Sequence, residues 1–526
     1  MKKRYVRMVL VVIVMISSLS NVFASEESDY VVKDLTLDDL NGKVVGVQTG
    51  CLYETHLLKR CPDVNIEFFA DPSTMILALK QGKLFAMLTE SNSYLCERRF
   101  HPGLKYIEEV LEKIDCAVMF SPSGRQEKLR EEMNAFIAEY INSGEREDLE
   151  DYWLDNSDLD SCVVDRSGIT GENGKLVVAV ESGYEPFSFV SKGEVSGFDV
   201  DFVYRFARKY GYSPEFYLTT FDALSAAVAS GKADLGMNVV LSDERSDGAI
   251  FSDPYNTYNL IATVYEKSEN KESFFEKTGN SFYKTFVKES RYELFLYGMY
   301  VTLIICILSI VIGTVAGLLL YLLLRERIKA LTRFTELFGW VIHAMPTVLF
   351  LMILSYVVFA SAKLNGIIVS VIGFSVLFCF TMYDLIVSGV KAVGKGQYEA
   401  ARAQGFTDKS TFFLIQNPQA ISHFLPAYKG EVISIIKDSS IVGYIAVMDL
   451  TKISDIVRSR TYEAFFPLIT TALIYFLIMA LLIFAVNKVG LPFDKTKRKT
   501  KKILKGIDVS KYGDYLEKIG KLPSIF

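Results

Sequence analysis

The chain has 526 residues, half of them hydrophobic, and its 57 Lys and Arg residues against 62 Asp and Glu residues leave a formal net charge of −5. Nothing in this balance indicates nucleic acid, and we expect no nucleic-acid partner. Mixed-sign charge is dense over residues 1–290, whereas residues 297–490 are mostly apolar. A soluble part therefore precedes a membrane part.

The first 24 residues have the pattern of a secretory signal peptide. Positive charge at Met1-Lys2-Lys3-Arg4 precedes the apolar run Met8 to Ile16 and the small-residue site Val22-Phe23-Ala24. This apolar run is too short to span a bilayer comfortably. We expect cleavage after Ala24, and retention as a membrane anchor is the alternative.

Five apolar runs are candidate membrane helices, each near the roughly 20 residues that a bilayer requires. They lie near Phe295–Leu324, Phe338–Ala360, Gly366–Val390, Val432–Leu450 and Phe465–Val489. Basic residues follow the first, third and fifth runs, which places those ends in the cytoplasm. With an exported N-terminal part, five crossings leave the basic tail 491–526 in the cytoplasm.

A loop between the third and fourth runs carries the most specific motif of the chain. Glu399-Ala400-Ala401 precedes Gly405, and Ile415-Gln416-Asn417-Pro418 follows ten residues after that glycine. This composition predicts a short helix with a flat face, one carboxylate and a glycine turn, which can dock into a groove on a partner.

The motif resembles the EAA loop of ABC importer permeases, although Asn417 stands where that family has Leu. The resemblance implies a separate cytoplasmic ABC ATPase subunit, acting as a dimer, as the partner. The residues that it implies for coupling to the ATPase are Glu399, Ala400, Ala401 and Gly405.

The surrounding membrane part is similar to the permease subunits of polar amino acid importers, most clearly over Lys437–Val447 and Arg458–Leu468. That resemblance implies an all-α transmembrane domain of about five helices over residues 293–490. Because such importers need two permease halves, we expect a permease homodimer in the lipid bilayer of a bacterial cell membrane. The segment His343–Thr347 departs from the family pattern.

The exported part alternates strand-like and helix-like runs over residues 175–239, which predicts βαβ units and a mainly parallel sheet with helices on its faces. Ligands of such sheets bind beyond the carboxyl ends of the strands. The turns at those ends are therefore candidate binding positions.

These runs resemble the first lobe of bacterial periplasmic amino acid-binding proteins, a two-lobed clamshell that closes on its ligand. Arg245 offers a guanidinium fork for the ligand carboxylate. Ser242 adds a hydroxyl donor, and Phe187 and Phe221 cover the ligand side chain. The first-lobe site residues that the resemblance implies are Tyr184, Phe187, Phe221, Ser242 and Arg245.

Second-lobe sequence resembles the same family over Leu35–Gly50 and Ala78–Lys83. Thr49 and Cys51 lie at the turn that starts a helix, where free N–H groups attract a carboxylate. Glu90 stands where the family has an Asp for the ligand's ammonium group. These three residues are expected to complete the site.

The order of the lobes is permuted relative to the family. We predict a multi-domain protein, with a periplasmic binding protein type II-like α/β clamshell before the permease. The exported boundaries are 25–160 (second-lobe-like, with a terminal helix), 161–174 (linker), 175–268 (first-lobe-like) and 269–292 (connector). The alternative to one permuted clamshell is two tandem binding domains, each decayed to one lobe.

No catalytic centre is visible in the sequence. Its four His residues lack metal-ligand spacing, and neither a nucleophile elbow nor a phosphate-binding loop is present, so we expect no metal, no cofactor and no ATPase site. The function predicted is an ABC importer permease with its own exported binding module for a polar amino acid or similar small zwitterion. The alternative is an amino-acid-gated channel or receptor, which should carry a pore loop and needs no EAA helix.

Overall fold

The computed structural model describes residues 35–51, 53–121, 126–154, 159, 161–241, 250–266, 274–325, 329–360, 362 and 364–490. The predicted signal peptide and basic tail, together with Ser242 and Arg245, lie outside the described residues. The chain divides into two compact units. The larger extends to Ile305 and takes in Met345–Gly373 and Ser439–Ile474, and the smaller comprises Cys306–Ala344, Phe374–Asp438 and the chain from Tyr475.

Strands and helices alternate through the first part of the larger unit. The strands are β1 (Val44–Gln48), β2 (Asn65–Phe69), β3 (Ala86–Glu90), β4 (Leu104–Tyr106), β5 (Glu112–Phe120), β6 (Lys175–Glu181), β7 (Gly183–Tyr184), β8 (Ser188–Ser191), β9 (Glu194–Ser196), β10 (Ser213–Thr219), β11 (Leu235–Val240), β12 (Ile250–Phe251) and β13 (Asn256–Tyr265). The helices are α1 (Tyr53–Arg60), α2 (Pro72–Lys80), α3 (Ser91–Phe100), α4 (Gln126–Asn142), α5 (Glu145–Trp153), α6 (Phe198–Tyr210), α7 (Phe221–Ala229) and α8 (Phe274–Phe282).

Ten of these strands form one sheet in the order β10-β6-β11-β5-β13-β3-β1-β2, with β12 beside β5 and β4 beside β13. Each flank of the sheet consists of parallel strands, β10, β6 and β11 on one side and β3, β1 and β2 on the other. Strands β5 and β13 pair antiparallel with each other and join the two flanks. The predicted two-lobed α/β domain with parallel βαβ units is confirmed.

The two segments that are predicted to be exported interleave in this sheet. Strand β5 comes from the second-lobe-like segment, yet it lies between β11 and β13 of the first-lobe-like segment. The pairing of β13 with β5 is continuous from Asn256, opposite Cys116, to Leu260, opposite Glu112. Neither segment therefore completes its backbone hydrogen bonds without the other.

Helices α4 and α5 pack on the flank that later residues build. Phe136 of α4 meets Phe202 of α6 with ring centroids 5.2 Å apart, and Trp153 of α5 donates from Nε1 to Asp201 Oδ2 at 3.1 Å. Phe202 and Trp153 are fully buried. Aromatic packing of this kind supplies much of the apolar burial of a small lobe.

The remaining elements are helical. They are α9 (Tyr292–Leu324), α10 (Lys329–Ala344), α11 (Thr347–Ile353), α12 (Gly366–Val393), α13 (Lys395–Ala403), α14 (Asp408–Thr411), α15 (Asn417–Asp438), α16 (Leu450–Thr461) and α17 (Phe465–Gly490). Within the described residues, α9, α12 and α17 are long and apolar enough to cross a membrane. The count becomes four if Thr332–Ala344 and Thr347–Val358 make one span.

Two of the five predicted spans differ from the structure. The run Phe338–Ala360 is interrupted at Met345 and Pro346, because a proline disfavours helical geometry in the residue before it. The run Val432–Leu450 is wrong as one helix, since α15 ends at Asp438 and a 3-10 segment Ser439–Ile445 follows. The mean hydropathy of that run does not reveal the break.

The shared sheet predicts that residues 161–266 alone will not fold cooperatively. That fragment lacks β5, which leaves the facing edges of β11 and β13 without partners, and it lacks Phe136 and Trp153 of the core. Circular dichroism melting should show no sharp transition for it, whereas residues 35–266, the control, should unfold cooperatively. A sharp transition for the shorter fragment, with ligand affinity equal to the control's, would contradict the shared-sheet account.

Candidate functional site

A cleft lies where the two flanks of the sheet meet. Gln48, Glu90, Glu181 and Val240 are the last residues of β1, β3, β6 and β11, so the cleft is at the carboxyl ends of parallel strands, where the topology predicts a ligand. The residues lining it are Gln48, Cys51, Tyr53, Glu90, Glu181, Tyr184, Phe221, Asn238, Val240 and Tyr258.

Four of the predicted site residues come together in this cleft: Cys51, Glu90, Tyr184 and Phe221. Glu90 accepts a hydrogen bond from the Tyr53 hydroxyl, with 2.5 Å between Oε1 and the phenol oxygen. The Cys51 thiol donates to Gln48 Oε1 over 3.6 Å. Residues before 121 and residues after 175 thus contribute to one polar, buried cleft.

Two predicted residues lie elsewhere, and two fall outside the described part of the chain. Thr49 is exposed, and its backbone N–H donates to Phe69 O at 2.9 Å rather than to the cleft. Phe187 is fully buried beneath Tyr184, with ring centroids 5.1 Å apart, and it belongs to the lobe core. Ser242 and Arg245 belong to the residues that the structure does not describe.

Several cleft residues were missed by the sequence reasoning. Gln48 and Glu181 end parallel strands, so the strand-end rule could have found them. Asn238 has a positive φ of 56° beside a register shift in β11, a strained conformation that often marks functional sites. Tyr258 reads as an ordinary strand residue, and its hydrogen bonds to Tyr53 and Cys116 depend on contacts between distant parts of the chain.

The two flanks touch directly across the cleft. Gln48 Nε2 donates to Glu181 Oε1 at 3.1 Å, and the Ser93 hydroxyl donates to the Tyr184 hydroxyl at 3.3 Å. In the cavity between them, the centre of a water molecule can move within about 10 Å³, which is room for about one water. An amino acid needs more space, so its entry and exit require the flanks to separate.

Two carboxylates, Glu90 and Glu181, face the cleft from opposite flanks. Burial raises the pKa of Glu181 to about 8, and the ammonium of Lys452 opposes that shift. Among the described residues that line the cleft, none is basic. Burial thus favours the neutral form of the Glu181 side chain in this closed cleft.

The loop predicted to couple to an ATPase forms helix α13 and the turn after it. Glu399 and Ala400 are exposed, whereas Ala401 is buried. Gly405 has a φ of +87° with open space around its Cα, and Asp408 holds the turn by accepting from the Tyr398 hydroxyl at 2.5 Å. The exposed face of α13 is thus free to meet a partner. In the described part of the chain, no group of three or more His, Cys, Asp or Glu residues could hold a metal ion.

Comparison with known proteins finds two kinds of similarity. Residues 176–507 match the family of bacterial extracellular solute-binding proteins, family 3. The putative glutamine transport system permease protein GlnP of Rickettsia bellii is 34% identical over 192 residues, which is 36% of this chain and 87% of that protein. The probable glutamine ABC transporter permease protein GlnP of Bacillus subtilis is 31% identical over 199 residues, 37% of this chain and 85% of that protein.

A solved structure adds to these matches. The crystal structure of an amino acid ABC transporter with histidines is 31% identical and covers 39% of this chain and 96% of its own, with a TM-score of 0.35. The sequence matches to the binding-protein family and to the permeases lie within one chain.

Buried acids predict how stability depends on pH. Burial, with the negative charges of Glu90 and Glu185, raises the pKa of Glu97 from 4.5 to about 8. The stability that protonated Glu97 contributes is fully present below pH 4.5 and is lost as the pH rises through about 8. Glu97→Gln should therefore reduce the loss of unfolding free energy between pH 5 and 8, by on the order of 1–3 kcal/mol.

Thermal or urea unfolding of the variant across that pH range measures the effect. Glu131→Gln, at an exposed position of α4, is the matched control and should leave the pH profile unchanged. Equal pH profiles for Glu97→Gln and the wild-type protein would contradict the assignment.

Proposed function

We propose that the clamshell of this chain supplies the amino acid that its own membrane helices carry. The chain belongs to the bacterial extracellular solute-binding proteins, family 3, and to the amino acid permeases of ABC importers. The chain is an amino acid ABC importer permease with a fused binding domain. What we add is the arrangement of the site, the class of substrate and the partners.

The observation that carries the proposal is the shared cleft. Glu90 reaches it from the earlier segment, and Glu181 and Tyr184 reach it from the later one. This supports a single permuted clamshell with one ligand per chain, with exported boundaries at 25–160, 161–174 and 175–268, rather than two decayed domains. A half-clamshell would hold its ligand from one side only.

The substrate proposed is a polar amino acid, with glutamine the leading candidate because the named relatives are glutamine permeases. Glu90 and Glu181 pair with the ammonium group of the ligand. Arg245 pairs with its carboxylate through a bidentate contact. Phe221 and the tyrosines of the cleft surround the side chain, and the buried hydroxyls donate to it.

The partners follow from the permease class. ATP hydrolysis is supplied by a separate ABC ATPase, which we place on the exposed face of α13 around Glu399 and Ala400. Two copies of the chain form the permease, and its C-terminus lies in the cytoplasm, as the basic residues after α9 and α12 favour. In this arrangement the chain forms the transport path, and the partner supplies the ATPase site.

Gly405→Asp should abolish uptake while amino acid binding persists. A side chain at a φ of +87° strains the backbone of the turn that ends α13, and the added charge lies on the surface that we assign to the ATPase. Uptake of labelled L-glutamine into proteoliposomes that contain the chain and its ATPase measures coupling, and equilibrium binding measures the clamshell.

Gly396→Asp is the matched control. Gly396 lies in the first turn of α13, has no positive φ and has open space around it, and an acidic residue is favourable there. Normal uptake by the Gly405→Asp protein would overturn the coupling assignment. Loss in both variants would assign the effect to the added charge rather than to the backbone.

A further inference from the structure

The smaller unit contains a cavity at the ends of its apolar helices. It lies where α9 ends, α10 begins and α12 ends, and the centre of a water molecule can move within about 460 Å³ of it. Small-molecule sites in proteins have volumes of about 300–1,000 Å³, so the cavity has room for a ligand group.

Three cations line this cavity, one from each of the three helical segments. They are Arg325, directly after α9, Arg333 in α10 and Lys391 in α12. Among the described residues, no acidic side chain lines the cavity and none forms an ion pair with any of the three cations. Cations that converge without a counter-charge repel one another, so an anion between them is favourable.

A cavity of similar size in the larger unit shows the contrast. The centre of a water molecule can move within about 470 Å³ of it, and three cations line it too. There each cation has an acidic partner from the chain itself. The pairs are Arg205–Asp201, Arg208–Asp165 and Lys209–Glu139. Within the described residues, only the cavity of the smaller unit therefore presents its cations to a ligand without such partners.

Aromatic residues add direction to the charge. The guanidinium of Arg325 lies over the ring of Phe412, 5.1 Å from its centroid, and Phe412 is fully buried. The hydroxyls of Tyr321 and Tyr383, which also line the cavity, have no hydrogen-bond partner in the described part of the chain. Guanidinium groups bind phosphate oxygens through two parallel hydrogen bonds, and phenol hydroxyls donate to them. The cavity therefore suits a phosphate group.

An exposed apolar surface leads away from the cavity along α10. Arg333, Leu337 and Trp340 are spaced four and three residues apart, which places them on one face of the helix. Leu337 is 60% exposed and Trp340 is 69% exposed. Helix α10 belongs to the bent pair that is apolar enough to count as one membrane span. A free phosphate has no use for such a surface, whereas the acyl chain of a phospholipid does.

We propose that this cavity binds the headgroup of an anionic phospholipid. Arg325, Arg333 and Lys391 hold the phosphate, and an acyl chain lies along the exposed face of α10. Basic pockets between membrane helices are suited to such headgroups. The bound lipid joins α9, α10 and α12 and stabilises the smaller unit. The inference is independent of which amino acid the chain carries.

The test uses the full chain with its ATPase in detergent, titrated with phosphatidylglycerol and analysed by native mass spectrometry. The wild-type complex should retain one lipid per chain. Arg333→Gln combined with Lys391→Gln should weaken that binding about thirty-fold, from about fivefold for each basic residue. Phosphatidylglycerol should also raise the Tm of the wild-type complex and not that of the double variant, because a ligand stabilises the state that binds it.

Matched variants separate a built site from general surface charge. Lys409→Gln combined with Lys488→Gln removes two exposed cations of the same unit that do not line the cavity, and it should retain the lipid with wild-type affinity. Arg333→Lys combined with Lys391→Arg keeps both charges and should also retain it. A Tm equal to that of the wild-type complex in the absence of lipid shows that each variant is folded.

Four results would overturn the proposal. The cavity variant retains phosphatidylglycerol as the wild-type complex does, or the surface control loses it equally. Inorganic phosphate at millimolar concentration displaces the lipid, which would make the cavity a site for small anions. The lipid is retained only after the ATPase is removed, which would assign the cavity to an acidic surface of that partner.

The lipid class is tested in the same titration. Phosphatidylcholine carries the same phosphate and acyl chains without net charge, and it should not be retained in the cavity. Equal retention of phosphatidylcholine and phosphatidylglycerol would also contradict the assignment, because the cations would then have no part in the selection.

Discussion

The pairing of β5 with β13 and β11 is the constraint on which the larger unit depends. These strands join two flanks of parallel strands, and β5 comes from an earlier part of the chain than β11 and β13. Because backbone hydrogen bonds of a buried strand need partners, this pairing joins the two flanks into one folding unit. The cleft, with Glu90 on one side and Glu181 on the other, exists only as a result.

Charge distribution then relates the cleft to helix α16. The cleft itself has carboxylates and tyrosines, whereas two cations of this short helix outside the sheet pair with acids of the two flanks, Arg458 with Asp71 and Arg460 with Glu185. Ion pairs that are buried contribute little net stability, but they specify geometry because a misplaced partner leaves a charge unpaired. Fusing the clamshell to its permease keeps these groups on one chain, so the docked arrangement does not depend on the concentration of a separate binding protein.

The features that could be predicted from the sequence are those that depend on residues close together in the chain. The parallel strands and the short helix before Gly405 depend on neighbouring residues, and the importer class was visible in the motif around Glu399. Phe187 was placed in the site because aromatic spacing does not distinguish a cleft from the core beneath it. Gln48 and Tyr258 act through partners more than 100 residues away, at separations of 133 and 205 residues, and no local signal contains those contacts.

The most direct test of the account is uptake without any added binding protein. Proteoliposomes that contain only this chain and its ATPase, with the clamshell facing outward and ATP inside, are supplied with labelled L-glutamine. The account predicts uptake that requires ATP and does not increase when a soluble binding protein is added. Uptake that appears only when a separate binding protein is supplied would contradict the claim that the fused clamshell loads its own permease.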